Sequence, residues 1–380
     1  VNGDWVRIHP IAREFLNERF ERLPPEHRRQ LHARAARWLA EHELFEEAAQ
    51  HARLAGNEAF AFDLIERCLY GIMTQGRVSR VLEWLEHLPE AEIQRRPQLR
   101  IATGWALAQS ERHAEAAALV APIMEDPSAE PARRCEAAEI CATAAFFDDD
   151  FDRLRDYISP WRESLQDQPA HQQIVGTNLL AVLELFDGKP ENANHLLQRL
   201  RKFPRLAELS YAQGWSGWLT GFTYLWEGQV ALAEDVLRLA LSRAEAESGR
   251  RSPIAAMLAA TLAAVLWDRE LFDEAGLLLA DRLDVLERHA SPDAIIHGYL
   301  TAARLAAAAG AQSKAHDLIE QLRAIGDSRG LPRLCVASLA EEIRMLALRH
   351  QDKACQARMG ALEALEEQYS GCWGILERPV

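Results

Sequence analysis

Lysine is nearly missing from this chain. Lys189, Lys202, Lys314 and Lys353 are the only four among 43 basic residues, so arginine is the default cation and a single arginine says little about a site. Basic residues as a whole are outnumbered by 57 acidic ones, giving a formal charge of −14, which excludes a general nucleic-acid binder that must neutralise phosphates. Long apolar runs are lacking too: the longest, PIAAMLAATLAAVLW from Pro253 to Trp267, is rich in alanine and falls short of the roughly 20 residues a bilayer crossing needs. Six cysteines (Cys68, Cys135, Cys141, Cys335, Cys355, Cys372) form no CxxC pair and lie in helical patterns, which reads as reduced thiols rather than a disulfide frame or zinc site. No charged-then-apolar leader opens the chain, so the expected compartment is the cytoplasm.

Signatures of chemistry are equally scarce. The 13 histidines are scattered, with no HExxH and no GxSxG, and His27 and His32, the nearest ligand-like pair, face apart on a helix. Neither a catalytic residue nor a metal site is therefore expected. The acidic run Asp148, Asp149, Asp150 and Asp152 lacks the glycine and terminal glutamate of a calcium loop and reads as a solvated turn between helices.

What the chain does have is a repeat. Short turns followed by an acidic or polar residue and alanine recur in SERHAEAA, GKPENAN, GQVALAE, RELFDEAG, GAQSKAH and HQDKACQ. Anchors at Ala116, Leu154, Ala193, Ala233, Ala275, Ala315 and Ala354 are spaced by about 40 residues, with two helical patterns per period and almost no strand signal. A small residue stands twelve positions before each anchor but the last (Gly104, Ala142, Ala181, Gly221, Ala263, Ala303), and glycine five before some (Gly188, Gly228, Gly310). This resembles the tetratricopeptide pattern: the small side chain lets the anchor of the second helix approach the first, and glycine closes the first helix in a left-handed cap. The fold class predicted is all-α, a right-handed superhelix of tetratricopeptide-like helix pairs. The seventh repeat, with Glu342 at the small position, reads as a terminal cap.

The first residues break the period. WVRIHPIAREFLNERF reads as a short strand through Trp5 and Arg7, closed by Pro10, then an amphipathic helix. Its residues His9, Arg13 and Arg19 read as a solvated helix face. Residues 1–40 hold eight arginines against five acids, unlike the acidic remainder.

Four ordered segments, WVRIHPIAREFLNERF (Trp5–Phe20), HRRQLHARAARWLAEHELFEEAAQHARLAGN (His27–Asn57), RVLEWLEHLPE (Arg80–Glu90) and QRRPQLRIATGWALAQSERHAEA (Gln94–Ala116), resemble the junction between the winged helix and the helical sensor of MalT-type regulators. These are ATP-dependent transcription activators ending in a LuxR-type helix-turn-helix. The resemblance implies three parts: 1–24 as the end of a winged-helix module, 25–96 as connecting helices, and 97–375 as the superhelical sensor. It implies an effector-sensing, autoinhibitory and oligomerisation role, with a small-molecule effector or a regulatory protein as partner and self-association in the full-length protein. A phosphate loop of the form GxxxxGK[ST] occurs nowhere, since GAQSKA (Gly310–Ala315) lacks the second glycine, and the sequence ends in CWGILERPV without a basic helix-turn-helix. ATP is therefore expected only in a separate ATPase module, and no cofactor, DNA contact or membrane in this region.

The sharpest local feature is SYAQGWSGWLTGFTYLWEGQ. Tyr211, Trp215, Trp218, Phe222 and Trp226 fall within one stripe of about 80° at 100° per residue. Counted back from Ala233, Trp215, Trp218, Phe222 and Trp226 occupy offsets that line the concave surface of tetratricopeptide-like stacks. The same offsets nominate Glu139, Thr143, Phe146 and Phe147, then Asn178 and Phe186, Met257, Trp267 and Asp268, and His297 and Arg304. Two readings stand open: an aromatic core covered by neighbouring helices, or a groove that holds a ligand against flat rings. In the second, the ligand-binding residues are Trp215, Trp218, Phe222, Trp226, Asn178, Phe186, Phe146, Trp267, His297 and Arg304, with Arg304 pairing an anionic or hydroxylated ligand. A scaffold capturing a partner's peptide or helix in the same groove is the alternative.

Overall fold

A computed structural model describes residues 8–110, 112–204 and 209–368; Trp5, Arg7 and Cys372 lie outside them. Among the described residues there is no β-strand. The helices are α1 (Pro10–Glu21), α2 (Pro25–Glu41), α3 (Phe45–Leu54), α4 (Glu58–Thr74), α5 (Val78–Leu85), α6 (Glu90–Arg95), α7 (Pro97–Ala108), α8 (His113–Glu125), α9 (Pro131–Phe147), α10 (Phe151–Ile158) and α11 (Ala170–Phe186). They continue with α12 (Pro190–Arg199), α13 (Ser210–Trp226), α14 (Val230–Ser248), α15 (Pro253–Asp268), α16 (Phe272–Leu279), α17 (Leu283–His289), α18 (Pro292–Ala308), α19 (Gln312–Arg329), α20 (Pro332–Ala347) and α21 (Asp352–Gln368). Proline opens many of them, because its fixed φ suits the first helical turn and its missing N–H would have had no partner there.

The chain forms two compact units, one of Val1–Ile72 with Glu83–Ala102, the other of Met73–Leu82 with Thr103–Val380. In the first, α2 packs on α3, and Arg96 ties Asp63, Glu66 and Glu92 together. His32 does not face His27; its Nδ1 lies 2.8 Å from Nδ1 of His51, and Phe20 packs edge-on against it. No residue of α1 is buried, and Ile11 and Phe15 stand exposed.

In the second unit the helices pair in sequence, and the first helices of successive pairs (α9, α11, α13, α15, α18, α20) pack on one another as an inner layer. This is the tetratricopeptide-like architecture. Ala116, Leu154, Ala193, Ala233, Ala275 and Ala315 are all 0% exposed, as are the small partners Ala142, Ala181, Ala263 and Ala303. Gly221 shows why they are small: a methyl group there would collide with the Leu237 side chain of the paired helix.

Among the described residues, the one five before an anchor closes the first helix with positive φ. Gly188, Gly228 and Gly310 do so at +69°, +73° and +78°, but Glu43, Asp149 and Glu270 take the same conformation without being glycine. This turn corrects the register of the seventh pair. His350 is its left-handed residue, so the anchor is the partly buried Cys355 rather than the exposed Ala354. Glu342 is paired with Arg358.

The stack curves until distant pairs meet. Arg333, at the start of α20 and only 4% exposed, donates to Asp293 at the start of α18 (2.7 and 3.2 Å) and to Asp149 in the turn after α9 (2.6 and 3.0 Å), 184 positions away. Its guanidinium lies 5.0 Å from the Phe186 ring and 5.4 Å from that of Phe151, and these two rings stack on each other. The acidic run is thus only in part a solvated turn: Asp148 and Asp152 are exposed, but the Asp149 side chain is buried. Asp149 is in this bridge, Asp148 is bonded to His113, and Asp150 caps α10 by accepting from the Arg153 N–H.

Candidate functional site

The inner layer of the second unit lines a partly open cavity in which the centre of a water molecule can move through about 70 Å³. Helical spacing puts one stripe from each helix on its wall: Thr143, Phe146 and Phe147 from α9; His171, Val175, Asn178, Leu179 and Val182 from α11; Tyr211, Ala212, Trp215 and Leu219 from α13. Trp105 of α7, Gln109 just after it, and Met73 and Thr74 at the end of α4 complete it. The rings meet edge to face, Phe146 and Phe147 against Trp215 and Trp105 against His171.

No ionised side chain lines this wall. Burial pushes His171 down to about 4, so its imidazole is neutral at pH 7, and burial holds the Tyr211 phenol up at about 12. The Tyr211 hydroxyl donates to Gln109 Oε1 at 2.9 Å, and a side chain at Gly76 would collide with the Tyr211 ring. Asn178 is committed on both sides: its amide donates to the Ala212 carbonyl (3.0 Å) and its oxygen accepts from Ser216 (2.9 Å). Behind the wall, Glu136 accepts from the Trp105 indole and from Gln172. Glu139, fully buried against Gly176 and Leu165, is pushed well above the usual carboxylate range by burial first and by Glu136 second.

Three of the ten nominated residues, Phe146, Asn178 and Trp215, line the cavity, as do Thr143 and Phe147. The other seven stand elsewhere. Trp218 is 0% exposed and donates to the Thr261 hydroxyl at 2.8 Å; Phe222 stacks on it, and His297 lies 3.2 Å from the same hydroxyl. These side chains fill the next layer instead of lining a groove, because the Thr261 hydroxyl of α15 accepts the indole N–H and His297 of α18 lies against that hydroxyl. Trp226 packs edge-on against Phe222, and Trp267 lies against Phe272. Phe186 is covered by Arg333 and Phe151. Arg304 is not available to an anion, since it donates twice to the buried carboxylate of Glu341 (3.0 and 2.9 Å). Met257 and Glu139 are buried, and Asp268 is exposed.

The concave-face offsets of Phe222 and Trp226 from Ala233, counted instead from Ala116, land on Trp105 and Gln109. His171 and Tyr211 lie one turn further from their anchors. Among the described residues no group of three or more His, Cys, Asp or Glu side chains could hold a metal ion, and no helix is long and apolar enough to cross a membrane.

Stacked helix pairs with small residues at the crossings and rings on the inner wall define a tetratricopeptide-like repeat protein. No protein-family model matches the sequence. It is 25% identical over 349 residues to the serine/threonine-protein kinase PknK of Mycobacterium tuberculosis, covering 90% of this chain and 31% of the kinase. It is 22% identical over 329 residues to the HTH-type transcriptional regulator MalT of Vibrio parahaemolyticus, covering 84% of this chain and 36% of MalT. The chain thus spans about a third of the length of these relatives. The resemblance to MalT-type regulators extends through the repeats, well beyond Ala116 where its motifs end.

Two solved structures share the fold. A Rap protein complexed with competence and sporulation factor superposes with a TM-score of 0.57 at 11% identity, covering 74% of this chain and 79% of that one. A STAND (signal transduction ATPase with numerous domains) protein with a tetratricopeptide repeat sensor, from Pyrococcus horikoshii, gives 0.50 at 16% identity, covering 95% of this chain and 55% of that one. The likeness to MalT and to these repeats supports a regulatory sensor or scaffold region.

Proposed function

We propose that this chain is the effector-sensing region of a MalT-like regulator, and that the effector is a small molecule held in the ring-lined cavity of the second unit. The observation that carries the reading is the concave wall built from α7, α9, α11 and α13, which combines six rings with a few uncharged polar groups, the make-up of small-molecule sites. Because the wall is shared by several helix pairs, a ligand bound there favours one curvature of the stack over others, and that difference in affinity is what a sensor passes on. In the full-length protein that signal governs release from autoinhibition and self-association. Residues 1–24 belong to a winged-helix module and 25–96 connect it to the sensor at 97–375. The chain acts in the cytoplasm, contacts neither DNA nor membrane, needs no cofactor, and performs no catalysis itself; ATP belongs to another module.

A second reading takes its support from the Rap protein, which was solved in complex with competence and sporulation factor. Here the same inner face holds a partner's peptide or a regulatory protein. A thermal-shift screen of the 380-residue chain against metabolites and short peptides, repeated with Trp215→Leu and Val175→Trp, separates the readings. Small-molecule stabilisation lost in both variants supports the cavity. Stabilisation by peptides alone favours the second reading, and a shift surviving both substitutions rejects the site.

A further inference from the structure

Resting on the reading of the cavity as a ligand site, we infer that its ligand is an uncharged, mainly apolar molecule with a flat two-ring core and one polar edge that faces Thr143 and Gln109.

Three observations carry this. The first is charge. Every ionisable group on the wall is neutral at pH 7, and the nearby carboxylate of Glu136 is occupied by Trp105 and Gln172. A carboxylate or ammonium on the ligand would lose its hydration with no counter-charge to meet it. Arg304, the nominated partner for an anion, is held by Glu341 outside this wall.

The second is shape. The centre of a water molecule can move through about 70 Å³ of the cavity. At roughly 10–15 Å³ per water centre and roughly 30 Å³ of liquid per water, this is room for about five waters, or about 150 Å³, the bulk of two fused rings. Walls of edge-to-face aromatics offer ring faces to a flat body and leave a polyhydroxylated one with more hydroxyls than partners.

The third is the set of polar groups left over. Asn178 and the Tyr211 hydroxyl are committed within the protein. The Thr143 hydroxyl and the Gln109 amide nitrogen line the wall without a protein partner among the described residues. They can receive one hydroxyl or carbonyl edge, and a buried ligand group of that kind needs such partners.

The test uses isothermal titration calorimetry on the 380-residue chain with three probes of one shape: 2-naphthol, 2-naphthoate and 2-naphthylmethylamine at pH 7. The expectation is that 2-naphthol binds at least about 100-fold more tightly than either charged probe, that Val175→Trp abolishes its binding, and that Thr143→Val weakens it about 5- to 20-fold with the fold intact by circular dichroism. Equal or tighter binding of a charged probe, itself lost in Val175→Trp, overturns the ligand class while the cavity reading stands. Binding of any probe unaffected by Val175→Trp, or no binding of any of them, overturns both.

Discussion

Removing Arg333 is the most informative single perturbation. In Arg333→Met the carboxyls of Asp149 and Asp293 remain buried with no counter-charge, and two aromatic rings lose their cation. Breaking a buried pair from one side costs about 3–5 kcal/mol, chiefly because the charge left behind is unsolvated. Burial already raises Asp149 above its usual range, with Arg333 the main opposing influence. Without the guanidinium, Asp149 rises further, so between about pH 4 and its new value the folded state binds more protons than the unfolded one. Stability then falls as pH rises, and the defect is larger at pH 7.5 than at pH 5. Urea unfolding at both values measures this. Hydrogen exchange adds a spatial check: amides at 148–151 and at 333–336 should open together, although they belong to distant pairs. A variant within about 1 kcal/mol of the parent at both pH values, or faster exchange confined to α20, would refute the bridge.

Glu139 imposes a similar slope, because its raised folded value means stability is lost as pH rises above the ordinary carboxylate range. Glu139→Gln should flatten the pH profile between 5 and 8 and stabilise more at pH 8, by about 1–3 kcal/mol; an equal shift at both ends would contradict a titrating group. His297 runs the other way: burial lowers it to about 4, so stability falls on acidification from 6.5 toward 4, by up to about 1.4 kcal/mol per pH unit, and His297→Gln should remove that slope in thermal melts. Gly221→Ala should destabilise by about 1–3 kcal/mol through collision with Leu237, whereas Gly71→Ala, with open space at the new methyl in α4, should stabilise slightly; like effects on Tm would undercut the crossing argument.

The repeat was legible because close approach of two helices leaves a mark at one residue per period, and Ala233 and Ala315 are small for the same reason. The seventh pair slipped by one position since Ala354 beside Cys355 offered a smaller residue than the true anchor. The division of the aromatic stripe was not legible. Trp215 and Trp218 lie three positions apart on one face of α13, and their fates differ through what other helices bring: Thr261 and His297 close over one, while Val175 and Thr143 leave space beside the other. The bridge left even less trace. Arg333 is one of many arginines, Asp149 sits in a run that looks solvated, and nothing local ties residues that far apart.

Solenoids held together by neighbour contacts alone come undone from a free end, one module after another. Here the seventh pair, which α20 opens, is fastened to a turn near the beginning of the array, so it cannot peel away without first breaking Arg333 from Asp149. The fastening turns an open spring into a hoop, and a hoop yields as a whole: each small rotation between adjacent modules adds up at the clasp.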